Sequence, residues 1–231
     1  MPSSWRLRLE SLPWTPPQDP GGRILVLSAH PDDEVLAIGG WLAGQTHRDI
    51  TFVTATDGEA SHPESPTVTG DDLRARRPGE LVEALQVLGH EEPDVRRLLL
   101  PDGGLAEAAD ALDESLADLV DAADLVLAPF EADGHPDHDA VGASAVRLCG
   151  DHTVLWRFPV WTWVWTEPNG QSWLPQVHRL DCSSSARVRK RRAIAAFETQ
   201  VEPLSDHPAD APVVDGVLLR HALYAPEVVI V

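Results

Sequence analysis

ILVLSAHPDDE, residues Ile24 to Glu34, joins an apolar run to a cluster of ionisable groups. Its leading apolar residues, Ile24 to Leu27, form a run of buried-strand length that stops at Ser28-Ala29, just before a Pro-bearing cluster of ionisable groups. Pro31 fixes its own φ and biases His30 to an extended conformation, so the chain turns where the imidazole emerges. Asp32, Asp33 and Glu34 then fall in the first turn of a helix running through Val35, Leu36, Ile38 and Trp41, where carboxylates complement the helix dipole. Three acids and a histidine so close together are costly to crowd unless positive charge sits among them, which points to a divalent metal. On spacing alone, Asp32, Asp33 and Glu34 are all candidate ligands.

Outward from this stretch, Ile50 to Ala55 reads as a second strand, followed by TDGEASH and a polar, Pro-containing loop to about Asp71. Asp71 or Asp72 suits the cap of a helix reaching Leu88, with Gly89 as its stop and Pro78-Gly79 as an interruption or kink. Val95 to Leu100 reads as a third strand, Ala106 to Ala122 as a helix and Leu125 to Ala128 as a fourth strand. Strands alternating with helices predict an α/β fold, a mostly parallel sheet covered on both faces, with chemistry beyond the carboxyl ends of the strands. From Thr153 the pattern changes. Val154 to Trp165 looks β-like, which sets Trp161, Trp163 and Trp165 on one face as a sugar platform or as a packing or oligomer contact. Arg187 to Gln200 reads as helical, Ser205 to Pro212 as a loop and Glu227 to Val231 as a terminal strand. Residues 1–22, with Pro2, Pro13, Pro16, Pro17, Pro20, Gly21 and Gly22, predict a surface arm without a helix or central strand.

At 231 residues the chain predicts one domain, 1–231, with a substantial core. Its 18 basic and 37 acidic residues give a formal charge of -19, which disfavours nucleic acid and anionic lipid as partners. Neither a membrane-length apolar run nor a secretion signal pattern is present, so the sequence predicts a cytoplasmic protein. Cys149 and Cys182 form neither a zinc knuckle nor a disulfide framework.

A second cluster, GHPDHDAVG at Gly134 to Gly142, repeats the His-Pro-Asp theme at the end of the fourth strand, so both clusters can face one crevice. His135 and His138 share a face if a helix begins there. A catalytic zinc needs about three N or O ligands and one open position, which two such clusters supply. A first strand ending in HPDDE, with no glycine-rich phosphate turn, disfavours a nucleotide-binding protein.

AHPDDE at Ala29 to Glu34 together with HPDHDAVG at His135 to Gly142 resembles the PIG-L/LmbE-like family of zinc-dependent N-deacetylases. Thr56 to Glu59, Arg77 with Glu80 and Leu88-Gly89, Leu100 to Leu105 and Lys190 to Gln200 resemble further family segments. The resemblance implies a Rossmann-like fold and hydrolysis of an N-acyl group, commonly acetyl on glucosamine of a glycoconjugate or small molecule. It implies His30, Asp33 and His138 as metal ligands for Zn2+, with Fe2+ or another divalent ion as alternatives, and Asp32 as general base. It further implies His135 as electrostatic or general-acid partner oriented by Asp137, and Arg77 and Asp102 as sugar-hydroxyl contacts. Some members acting on thiol-sugar conjugates carry tyrosine two residues before the first histidine of the second motif; Asp133 stands there and argues against their substrate. An amidase of a non-sugar N-acyl amine and a non-catalytic metal- or sugar-binding module are the alternative readings. Asp32 and His135 speak against the latter, since a binder needs no spare base or acid.

Overall fold

The structure is a computed structural model that describes residues 4–13 and 15–231. In chain order its elements are α1 (Ser4–Ser11), β1 (Ile24–Ser28), α2 (Asp33–Leu42), β2 (Ile50–Thr54), α3 (Gly70–Leu88), β3 (Asp94–Arg97), α4 (Ala109–Asp121), β4 (Leu125–Pro129), α5 (Pro136–Leu148), β5 (Val154–Phe158), α6 (Thr162–Trp165), β6 (Val177–Arg179), α7 (Ser184–Ile194), α8 (Glu198–Val201), α9 (Gly216–Tyr224) and β7 (Val228–Ile230). They build one sheet in the order β3-β2-β1-β4-β5-β7-β6. The first five strands of that order are parallel; β7 runs antiparallel to both β5 and β6.

Every residue of β1 is buried, because helices cover both faces of the sheet. Val26, Phe52 and Trp156 pack beneath α2, α3, α7 and α9, whereas Leu25, Val53 and Val126 pack beneath α4 and α5. This is a three-layer α/β fold. Ile24 lies in register with Ile50 on one side and Leu125 on the other. The chain lays down β1, β2 and β3 in one direction, then returns to place β4 on the far side of β1. Winding therefore reverses between β1 and β4, and a crevice opens beyond their carboxyl ends. Both His-Pro-Asp turns leave the sheet at that crevice.

Several local expectations are corrected. Residues 4–11 lie between the prolines of the arm and do form a helix, burying Trp5 and Leu9 against Phe130 and Trp163, with Trp5 Nε1 donating to the Thr166 carbonyl at 2.8 Å. Pro2 lies outside the described residues. α3 begins from Thr69, not from Asp71 or Asp72, because Thr69 and Asp72 cap each other's backbone amides; Gly89 ends it in the left-handed conformation. Pro78-Gly79 sit inside one continuous helix, held by its apolar stripe of Leu73, Leu81, Ala84, Leu85 and Leu88. β5 stops at Phe158, and the tryptophans that follow lie around α6, on opposite sides of the turn. No helix among the described residues is long and apolar enough to cross a membrane.

Trp163 turns inward and stacks on His221, centroids 4.5 Å apart and planes 10° apart. Burial, aided by the charge of Lys190, holds the His221 pKa down to about 3. The folded state therefore resists a proton that the unfolded chain accepts below about pH 6.5. Stability from this ring is complete above pH 6.5 and is lost as pH falls towards 3, amounting to about 2 kcal/mol by pH 5. Denaturant unfolding at pH 7.5 and pH 5 should show His221→Phe losing about that much less than the unsubstituted protein; equal losses would contradict the assignment.

Candidate metal and catalytic site

The first turn is fixed by its own backbone. Asp33 Oδ2 accepts the His30 amide at 2.9 Å, and the His30 carbonyl accepts the Asp32 amide at 2.9 Å. The second is set by Pro136 at the start of α5, with His135 as its cap: His135 Nδ1 accepts the Asp137 amide at 3.2 Å. His138 then projects from α5 back onto α2. His138 Nε2 lies 3.1 Å from Asp33 Oδ1 and 3.3 Å from His30 Nδ1, and His30 Nδ1 lies 3.7 Å from Asp33 Oδ2. Donor atoms around a tetrahedral ion with bonds of about 2.0–2.1 Å lie about 3.3 Å apart, which the His138–Asp33 and His138–His30 pairs match, and one donor atom from each of the three residues lies within 4.8 Å of the others.

The far nitrogen of each imidazole is held by carboxylates. His138 Nδ1 lies 2.8 Å from Asp133 Oδ2; His30 Nε2 lies 3.0 Å from Asp102 Oδ1 and 3.3 Å from Asp137 Oδ2. Those contacts put the ring protons on the outer nitrogens and turn the inner lone pairs towards one point. Burial opposes charge on His30, but its bonds to Asp102 and Asp137 and the charge of Asp33 outweigh it and raise its pKa to about 9. Burial likewise opposes charge on Asp33, yet His138 and His30 hold its carboxyl far below the usual range. The surroundings favour positive charge where the donors meet.

Asp32 is set apart from the three donors. Its carboxylate, only 5 % exposed, takes a bond from Arg77 Nη2 at 3.2 Å, while Arg77 Nη1 donates to the Gly58 carbonyl at 2.7 Å. Gly58 has φ +67°, and any Cβ there would overlap the guanidinium. Burial, countered by Arg77 and assisted by Asp33, pushes the Asp32 pKa up to about 7. Glu34 points away from the donors, buried with Oε2 accepting the Ser28 hydroxyl at 2.6 Å, and burial raises its pKa to about 8.

The structure corrects how Asp137 acts. Its oxygens accept the amides of Gly103 at 2.7 Å and Leu105 at 3.1 Å and bond His30, while the hydrogen bond to the His135 ring comes from its backbone amide and the carboxylate acts on that ring through its charge. Because His135 Nδ1 is an acceptor, its proton is placed on Nε2. Burial, with His138 and His30 adding to it, lowers the His135 pKa to about 4, which favours the neutral ring. Asp102 lines the cleft but is tied to His30 and, at 2.7 Å, to the Ala60 amide. His30, Asp32, Asp33, Arg77, Asp102 and His135 all line one cleft of about 290 Å³; His138 and Asp137 are buried behind it.

Asp133 is the residue whose role the sequence did not disclose. It is fully buried, and besides His138 it accepts the amides of Val160, Trp161 and Thr162, each at 2.9 Å, and the Thr162 hydroxyl at 2.7 Å. That carboxylate caps α6 from a distant part of the chain. It explains why the tryptophan stretch turns into a helix after Pro159 and does not extend β5.

The sequence model described as PIG-L, GlcNAc-PI de-N-acetylase, matches residues 25–149. A 1D-myo-inositol 2-acetamido-2-deoxy-alpha-D-glucopyranoside deacetylase of Rhodococcus erythropolis is 29 % identical, aligned over 78 % of this chain and 81 % of that protein. The protein of the same name from Corynebacterium glutamicum is 30 % identical over 59 % of this chain, which spans 56 % of that relative's length. In structure, the N,N'-diacetylchitobiose deacetylase of Pyrococcus horikoshii superposes with a TM-score of 0.59 at 20 % identity, covering 77 % of this chain and 70 % of the other. With the family match extending over more than half of the sequence and through both His-Pro-Asp turns, the chain belongs to the PIG-L family of GlcNAc-PI de-N-acetylases.

Proposed function

We propose that this chain is a cytoplasmic, single-domain hydrolase that removes the N-acetyl group of an aminosugar, with zinc held by His30 Nδ1, Asp33 and His138 Nε2. The observation that carries the reading is the division of labour among carboxylates. Asp33 joins the two imidazoles, Asp102, Asp133 and Asp137 hold their outer nitrogens, and Asp32 lines the cleft beside them with neither task. A divalent ion, when bound, supplies a Lewis acid that polarises the amide carbonyl and acidifies a water.

The chain's own residues do the rest. Asp32, held by Arg77 and with its pKa near 7, accepts the proton of the attacking water, and positive charge held at the neighbouring donors would favour its ionised form. His135 Nε2–H donates to the carbonyl oxygen as negative charge develops there. An amine leaves badly as an anion, so protonated Asp32 passes its proton to nitrogen as the C–N bond breaks. Atoms balance: amide and water give acetate and the free amine.

Acetate release from N-acetylglucosamine and a panel of its glycosides, by metal-stripped protein with and without zinc, tests the reading. Zinc-dependent acetate from a sugar supports it. Stoichiometric metal binding with release only from non-sugar N-acyl amines would move the activity to a general amidase. Asp133→Asn should weaken zinc binding by about 10–100-fold through the lost hold on His138, as read in competition with a chelating dye. Unchanged affinity would show that His138 is oriented without it.

A further inference from the structure

We propose that Trp161 and Trp165 form an aromatic platform at the mouth of the cleft that stacks against a ring attached to the aminosugar, so that the substrate is a glycoside carrying a ring-bearing aglycone. The inference rests on the aminosugar reading of the site and adds the part of the substrate beyond the reacting sugar.

The two indoles lie four residues apart across α6 and stack on each other, centroids 4.7 Å apart and planes 13° apart. Both are nearly parallel to the His135 ring, 26° for Trp161 at 6.5 Å and 13° for Trp165 at 6.2 Å. Trp161 lines the cleft with His30, Asp32 and His135, while Trp165 is 51 % exposed, so the pair runs from the reaction centre outwards to solvent. Trp163, between them in sequence, is buried on the opposite side against His221 and Trp5. Core packing therefore accounts for Trp163 and for part of Trp161, and leaves the half-exposed Trp165 and the cleft-lining part of Trp161 to the platform.

Their positions are built. Asp133 accepts the Trp161 amide as well as holding His138, so one carboxylate locks both the metal ligand and the platform. Gly134, at φ +93°, lets Trp165 rest on the backbone just before His135, where an added Cβ would meet the indole at 3.3 Å. A half-exposed indole held this rigidly presents a broad apolar face at little cost in conformational freedom.

The direction of the substrate follows from the reaction. The acyl carbon must reach Asp32 inside the cleft, so what lies at its outer end is attached on the amine side. The wall formed by Ser61, Asp102 and Gly103 is polar and suits sugar hydroxyls, whereas Trp161 and Val160 make the wall beside His135 apolar.

Zinc-loaded protein carrying Asp32→Ala, which binds without turning over, tests this by calorimetry. N-acetylglucosamine, its p-nitrophenyl glycosides of both anomers and a β-linked disaccharide of N-acetylglucosamine are compared. At least one ring-bearing ligand should bind ten or more times tighter than the free sugar. Trp165→Leu or Trp161→Leu should cut that ratio below about threefold, and Trp165→Phe should restore most of it. A ratio near one with both tryptophans present, or a high ratio that survives both leucine substitutions, overturns the proposal. A tryptophan-dependent gain seen only when the acetyl group is lengthened to butyryl also overturns it, by placing the acyl chain on the platform. Acetate release with Asp32 intact is scored separately: its absence with every ligand ends the deacetylase reading, while tryptophan-dependent binding of the ring still supports the platform.

Discussion

Asp32→Asn is expected to lower turnover by about 10²–10⁴-fold, the usual worth of a positioned general base, with zinc content unchanged. Asp32 contributes no atom to the cluster of donors at His30, Asp33 and His138, and it forms an ion pair with Arg77. Asparagine keeps an acceptor for that guanidinium, so the turn remains supported while proton acceptance is lost. Asp32→Ala should lose as much activity, also without losing metal. The two readouts, metal per chain and initial rate, separate this from a ligand role: metal loss in parallel with activity would make Asp32 a ligand. Arg77→Lys is the informative companion, because lysine cannot bridge Asp32 and the Gly58 carbonyl with the same fork.

His138→Ala is expected to have the opposite profile, with metal lost and the fold weakened. It removes one of three donors, which should cost more than the about 10–100-fold typical of a supporting residue. It also strips the shared partner from two buried carboxylates, Asp33 and Asp133, whose rings of contacts close on this imidazole. Breaking one side of such a buried network costs about 3–5 kcal/mol. Thermal or denaturant unfolding of the metal-stripped proteins isolates that structural part, and zinc titration gives the ligand part. A variant that unfolds as the parent does yet fails to bind zinc would show that the carboxylates relax or take up protons when His138 is gone.

These two residues illustrate which parts of the account could be read from the chain. ILVLS and LVLAP announce buried parallel strands because each residue is apolar or small regardless of face, and the turns that follow are short enough for local rules to fix them. Adjacent placement of β1 and β4 then brings His30, Asp33 and His138 together. What the chain concealed depends on partners far away in sequence. Asp133 caps α6 across 27–29 residues, so the alternation of Trp161, Trp163 and Trp165, strand-like by local pattern, folds as a helix. Asp137 is drawn off by the amides of Gly103 and Leu105, more than thirty residues earlier, which no spacing rule within HPDHD could reveal. The composition of the whole arm, rich in proline and glycine, masks the proline-free stretch of α1 whose Trp5 and Leu9 face the core. In each case a tertiary hydrogen bond or a buried aromatic overrode the local preference.

The most direct measurement is a titration of metal-stripped protein with zinc, following acetate release from the best glycoside and bound metal in the same samples. A rate that climbs in proportion to bound zinc and breaks at one ion per chain is the predicted result. Acetate release that is undiminished in fully stripped protein would contradict the account, because Asp32 and His135 would then be carrying the reaction without the ion that His30, Asp33 and His138 are arranged to hold.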